Sequence, residues 1–126
     1  MAINYTTKTQ YLFRINKGVT DISDNAAVNK FVPKAERAVP FENMVFIGDG
    51  ATDIPCFRLI KEQGGLSVAV YTPNKPLGKT KAEQYRKDER VHAVVPANYS
   101  DGSLLDKIIK ARIDEIAAKN ALAYLM

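Results

Sequence analysis

The sequence predicts an α/β fold: a short parallel sheet of about three strands with helices packed on it. Three observations point there. Met44, Val45, Phe46 and Ile47 form an apolar run with no polar alternation, as a strand covered on both faces requires. Leu66, Val68, Ala69 and Val70, and then Val91, Ala93, Val94 and Val95, repeat that character at intervals long enough to hold a helix. The segments between and after these runs carry helical spacing, which implies parallel strands joined by right-handed crossovers.

The elements follow in order. Thr7 and Gln10 have the spacing of a capping box, which makes Lys8 the first helical residue. Leu12, Phe13 and Ile15 lie on its inward side, and Gly18 supplies the stop. Residues 19–43 are the least regular part. Pro33 and Pro40 punctuate them, residues 25–31 have the composition of one short helix, and Lys34, Glu36 and Arg37 belong to an exposed connection. The first strand follows, then the turn Gly48-Asp49-Gly50 and an apolar helix with Pro55 at its start. Gly64-Gly65 ends that helix and the second strand begins at Leu66.

A loop from Pro73 leads to a polar helix over 80–87, and the charge of the whole stretch, Lys75, Lys79, Lys81, Arg86, Lys87 and Arg90 against Glu83, Asp88 and Glu89, reads as a solvated face. The third strand closes at Pro96. Ser103 with Asp106 caps the last helix, where Leu105, Ile108, Ile109, Ile113, Ile116, Ala117 and Tyr124 recur at helical spacing and are expected against the sheet.

Composition is that of one ordinary globular domain over residues 1–126, with 46% apolar and 25% charged residues. No apolar run reaches the length of a membrane span and the opening MAINYTTKTQ lacks the apolar core of a signal peptide, so a cytoplasmic location is expected. The one cysteine, Cys56, rules out an internal disulfide and reads as a small buried hydrophobe. His92 has no companion for a catalytic dyad or a zinc cluster and reads as a strand residue. The net charge of +4 and the basic 75–90 segment raise nucleic-acid binding, but interleaved aromatics, a helix-turn-helix pattern and zinc spacing are all absent.

The residues that carry chemistry stand at 48–53, Gly-Asp-Gly-Ala-Thr-Asp. Asp49 falls where a strand meets a helix, the usual address for phosphate and metal chemistry in open α/β sheets. Asp53 follows about one turn later, and two carboxylates so placed suit a hard divalent cation such as magnesium. The plainer alternative is an ordinary turn with Asp53 helping to cap the helix.

Residues 44–71, MVFIGDGATDIPCFRLIKEQGGLSVAVY, resemble the fourth conserved motif of the haloacid dehalogenase-like hydrolases, in the form found in phosphoserine phosphatase-like members. In that family the motif reads Gly-Asp-Gly-x-x-Asp. The resemblance implies a partial Rossmann-like, three-layer fold and a magnesium cofactor. It makes Asp49 a magnesium ligand, with Asp53 supporting the metal site from behind or through water. Gly48, Gly50 and Thr52 form the supporting loop, with Thr52 where many relatives carry Asn. Lys8 matches the family's third landmark, a lysine at a helix start that neutralises the phosphate and the nucleophilic carboxylate. Lys8, Asp49 and Asp53 are thus the implied catalytic residues, and Lys8 the phosphate contact. Read without the family, Lys8 is a solvated lysine.

The sequence departs from the family at one decisive place. The nucleophile motif Asp-x-Asp is absent, and Asp21-Ile22-Ser23-Asp24 has the wrong spacing and follows the lysine helix. The resemblance therefore covers nearly the whole chain but only the C-terminal half of the family's core, and activity by the chain alone is not expected. In the family the strand at 44–47 lies inside the sheet beside the nucleophile strand. Without that neighbour it is a bare edge, expected to pair with a second copy of the chain, with a separately made N-terminal fragment or with the chain's own N-terminal residues, the homodimer being the simplest. A phosphorylated small molecule is the implied substrate, its identity undetermined because nothing here resembles a cap insertion. The competing expectation is a non-catalytic module that dimerises and still binds metal or a phosphorylated ligand.

Overall fold

The glycine pair at 64 and 65 shows how tightly the chain is drawn between helix and sheet. The computed structural model describes residues 5–18 and 39–126. There Gly64 has φ +91°, the left-handed conformation that ends helices, and Gly65 donates to the Ile60 carbonyl at 2.8 Å. A Cβ on Gly65 would stand 2.5 Å from the Phe41 carbonyl oxygen and 2.6 Å from Ile60 Cγ2, so only glycine lets the chain pass into the second strand here.

The sheet consists of β1 (Val45–Gly48), β2 (Leu66–Tyr71) and β3 (Ala93–Pro96), ordered β1-β2-β3 and parallel throughout. Val45 pairs with Leu66, and Val68 with Ala93. The parallel, helix-flanked sheet predicted from the apolar runs is what forms. The boundaries shift slightly. Met44 closes a 3-10 turn at Phe41–Asn43 and donates to the Phe41 carbonyl, so β1 starts one residue later.

The helices are α1 (Tyr5–Lys17), α2 (Ile54–Glu62), α3 (Gly78–Lys87) and α4 (Leu104–Leu125). They make three layers. Phe57 of α2 and Ala82 of α3 bury themselves with Ala69 and Val91 on one face of the sheet. Leu105 of α4 packs with Val68, Val70 and Val95 on the other, supported by Ile108 and Ile109. Residues 66, 68 and 70 of β2 thus face α4 while 67 and 69 face α2 and α3, which is why this strand is apolar without alternation. Ser67 is the polar exception, and its hydroxyl donates to the Phe57 carbonyl at 2.7 Å.

Three expectations are corrected. Helix α1 begins at Tyr5, so Lys8 is its fourth residue and not its first. Ile15 is 52% exposed, because Asn16 takes the inward place: its amide donates to the Val39 carbonyl at 2.7 Å and its own carbonyl receives the Val39 N–H at 3.1 Å. In α4 only the first turns meet the sheet, and Ile113 and Tyr124 are 55% and 92% exposed. The short helix expected at 25–31, the exposed connection through Lys34, Glu36 and Arg37, and the Asp21–Asp24 stretch lie outside the described residues.

Helix α4 is held by its cap and by one arginine. Ser103 Oγ accepts from the Asp106 N–H at 3.1 Å, as the spacing predicts, and Asp106 accepts from the Gly102 N–H at 2.9 Å. Arg112 donates to the Glu42 carbonyl at 2.9 Å and the Gly64 carbonyl at 2.7 Å, and pairs with Glu115.

Candidate functional site

Asp53 closes a 3-10 turn, Ala51–Asp53, that runs directly into α2. Its side chain folds back under the loop instead of pointing to solvent. Oδ2 accepts the N–H groups of Asp49 at 3.1 Å and Gly50 at 3.2 Å. Oδ1 accepts from Lys8 Nζ at 2.6 Å, and the same ammonium donates to Thr52 Oγ1 at 2.9 Å. The carboxylate is nearly buried, with 8% of the side chain exposed, and Lys8 keeps 26%. A buried charge this well satisfied is a fixed part of the architecture.

Gly48 makes the arrangement possible. A Cβ there would stand 2.5 Å from Asp53 Oδ2 and 2.7 Å from its Cγ, so any larger residue would push the carboxylate away from the loop amides. Gly50 differs from the expectation of a sharp glycine turn. It is extended, φ −135°, with nothing among the described residues within 4 Å of the place a Cβ would occupy, and its contribution is the N–H it gives to Asp53.

Asp49 lies just past the carboxyl end of β1 with its side chain exposed. The sequence-predicted residues therefore divide. Lys8, Thr52 and Asp53 meet in a bonded cluster from two distant parts of the chain, while Asp49 joins that cluster through its backbone and leaves its carboxylate toward solvent. Among the described residues no three His, Cys, Asp or Glu side chains gather as a metal-binding group.

Cys56, on the first turns of α2, is fully buried. Burial, and next the negative charge of Asp53, push its thiol up to about 11, with Lys8 pulling the other way. It is protonated at neutral pH and no nucleophile, as its apolar setting in the sequence predicts. A groove of about 520 Å³ lined by Arg58, Lys61, Glu62, Asp88, Glu89 and Arg90 lies toward the far end of α2 and includes none of the loop residues. Its mixed charge gives no sign of a preferred ligand.

The contact that sequence reasoning did not foresee is Lys8 to Thr52. The two residues are 44 apart and neither carries a local signal of the other. Thr52 was legible only as a loop position, and it proves to be the second acceptor that fixes the ammonium.

No protein-family model matches the chain. No solved structure matches it either. It is similar to an uncharacterized protein of Borreliella burgdorferi, 31% identical over 114 residues, which covers 88% of this chain and 37% of that protein. The chain thus spans little more than a third of the length of that relative. No helix among the described residues is long and apolar enough to cross a membrane.

Proposed function

We propose that the chain supplies the C-terminal half of a haloacid dehalogenase-like phosphohydrolase core that works in the cytoplasm. One observation supports this above the rest: Lys8 bonds Asp53, and Asp53 bonds the backbone of the loop that presents Asp49 at the carboxyl end of β1. Two motifs that resemble the same family, far apart in sequence, meet at the end of the sheet where that family's chemistry would need them. An unrelated turn with a capping aspartate has no reason to recruit a lysine from α1.

The donors suit magnesium in a limited way. That ion keeps several waters and is held by one or two protein carboxylates together with substrate phosphate oxygens, so the exposed Asp49 serves as one ligand. Asp53 has both oxygens engaged and supports Asp49 through the backbone. Bound there, magnesium would neutralise charge on a transferring phosphoryl group. Lys8 sets a positive charge beside the loop, and the buried carboxylate keeps the ammonium from swinging into solvent. Electrostatic stabilisation of this preorganised kind accounts for most of the catalysis in phosphoryl transfer.

The nucleophile has no candidate in the sequence, because no Asp-x-Asp occurs in it. A second strand would bring it, beside β1, which among the described residues is paired on one side only. That strand comes from another polypeptide or from a longer form of the protein; its aspartate oxygen then attacks the phosphorus of a phosphate ester as the ester P–O bond breaks and the alcohol leaves, and water hydrolyses the aspartyl phosphate to inorganic phosphate and the free carboxylate.

The test is magnesium-dependent hydrolysis of an aryl phosphate. The chain alone should give no turnover. Adding a polypeptide with an Asp-x-Asp strand should produce it, and Asp49→Asn should abolish it. A second reading, a non-catalytic module that pairs with itself through β1 and binds metal or a phosphorylated ligand, is favoured by the missing nucleophile and holds if neither arrangement turns over.

A further inference from the structure

The amino ends of β2 and β3 border a groove of about 400 Å³, at the end of the parallel sheet away from the Asp49 loop. Part of its wall is apolar: Leu66 at the start of β2, with Ile108 and Ala111 of α4. Lys61 from the last turn of α2, His92 just before β3, and Arg112 and Glu115 of α4 bring the polar groups. An apolar hollow with a few convergent polar groups is the common form of a small-molecule site.

These polar groups are not equally free. Arg112 and Glu115 pair with each other, and Arg112 also gives its donors to the Glu42 and Gly64 carbonyls. Lys61 donates to the Glu89 carbonyl at 2.8 Å and has no carboxylate partner among the described residues, so its ammonium keeps donors in hand. His92 is engaged through one ring nitrogen: Nδ1 accepts the Ser67 N–H at 3.0 Å, which puts the proton of the neutral ring on Nε2. Among the described residues none accepts from that Nε2–H. Burial, and next the Lys61 charge, hold the ring below the usual histidine range and so keep it neutral at neutral pH. The groove therefore offers one uncompensated positive charge, one neutral donor and an apolar wall.

We infer that this groove binds a monocarboxylate with a small apolar body, its carboxylate on the Lys61 ammonium and the His92 Nε2–H and its body against Leu66, Ile108 and Ala111. A single negative charge matches the single unpaired cation, and two donors from different elements suit the two oxygens of a carboxylate. A phosphate dianion would bring a second charge that no group here neutralises, and would leave the apolar wall bare. The groove shares no residue with the Asp49 loop, so this site and the phosphohydrolase reading stand or fall independently.

His92 is the one histidine in the chain, so its imidazole resonances report on the groove without ambiguity. Benzoate titrated into the full chain at neutral pH should move them to saturation in a nuclear magnetic resonance spectrum, whereas benzamide and inorganic phosphate at the same concentrations should not. Lys61→Met, which keeps the stem and removes the charge, should weaken benzoate binding by about tenfold or more, and Lys61→Arg should keep most of it. Ala111→Trp, which fills the groove from an exposed position, should abolish the movement with an unchanged circular dichroism spectrum, and it decides if Lys61→Met fails to fold. No saturable movement, an equal response to benzamide or phosphate, or undiminished binding in either folded variant, Lys61→Met or Ala111→Trp, overturns the inference.

Discussion

Asp53 satisfies three donors at once, and its replacement separates structure from chemistry. Asp53→Ala leaves the Lys8 ammonium and two loop amides without their acceptor in a mostly buried place, which should cost about 2–4 kcal/mol in a denaturant titration. Asp53→Asn keeps one acceptor for the amides and should cost less. If Asp53→Ala proves neutral, the cluster is a surface feature and the rigid presentation of Asp49 fails with it. Asp49→Asn, by contrast, keeps the backbone N–H that Asp53 receives and should hardly move the midpoint. The loop aspartates were legible from Gly-Asp-Gly-x-x-Asp, but their division of labour was not. Sequence spacing says how near two carboxylates are along the chain, and says nothing of a lysine 45 residues away that turns one of them inward.

At the scale of elements, the signals that survive are those with a local physical cause. The cap at Ser103, the stop at Gly64 and Pro55 at the start of α2 all stand where the sequence puts them. Ser103→Ala removes the acceptor for the Asp106 N–H and should lower stability by about 1 kcal/mol, read as a shift in the denaturation midpoint. Where a reading failed, a longer-range constraint was the reason. Thr7 has the spacing of a cap, yet α1 already runs from Tyr5. The apolar periodicity of α4 predicts core along its whole length. A helix of 22 residues reaches roughly 33 Å at 1.5 Å per residue, whereas strands of four to six residues reach about 13–20 Å, so its second half outruns the sheet. Periodicity finds a face and not the extent of what that face can meet.

For the whole molecule, one imidazole joins the strands to the solution pH. His92 Nδ1 accepts the Ser67 N–H at 3.0 Å and the His92 N–H donates to the Ser67 carbonyl at 2.9 Å, extending the pairing of β2 with β3 by one step. Burial first, then the positive charges of Lys61 and Arg112, hold the ring below the usual histidine range. With the folded value depressed, the unfolded chain takes up the proton first. Stability is then full above about pH 6.5 and declines as the pH falls through the interval below it. Midpoints measured across that range should fall, and His92→Asn should flatten that part of the curve. An unchanged slope in the variant would assign the decline to other groups.

Arg112 has a consequence for how this side of the molecule opens. Its guanidinium holds the Glu42 and Gly64 carbonyls together, one from the chain entering β1 and one from the turn entering β2, although they lie 70 and 48 residues from it. Neither carbonyl can be released singly by a motion of α4. Transient opening on this flank is therefore one cooperative event that frees the helix, the turn and the approach to the edge strand together. The far turns of α4 lie outside that clasp, and amide exchange there runs on its own, faster clock.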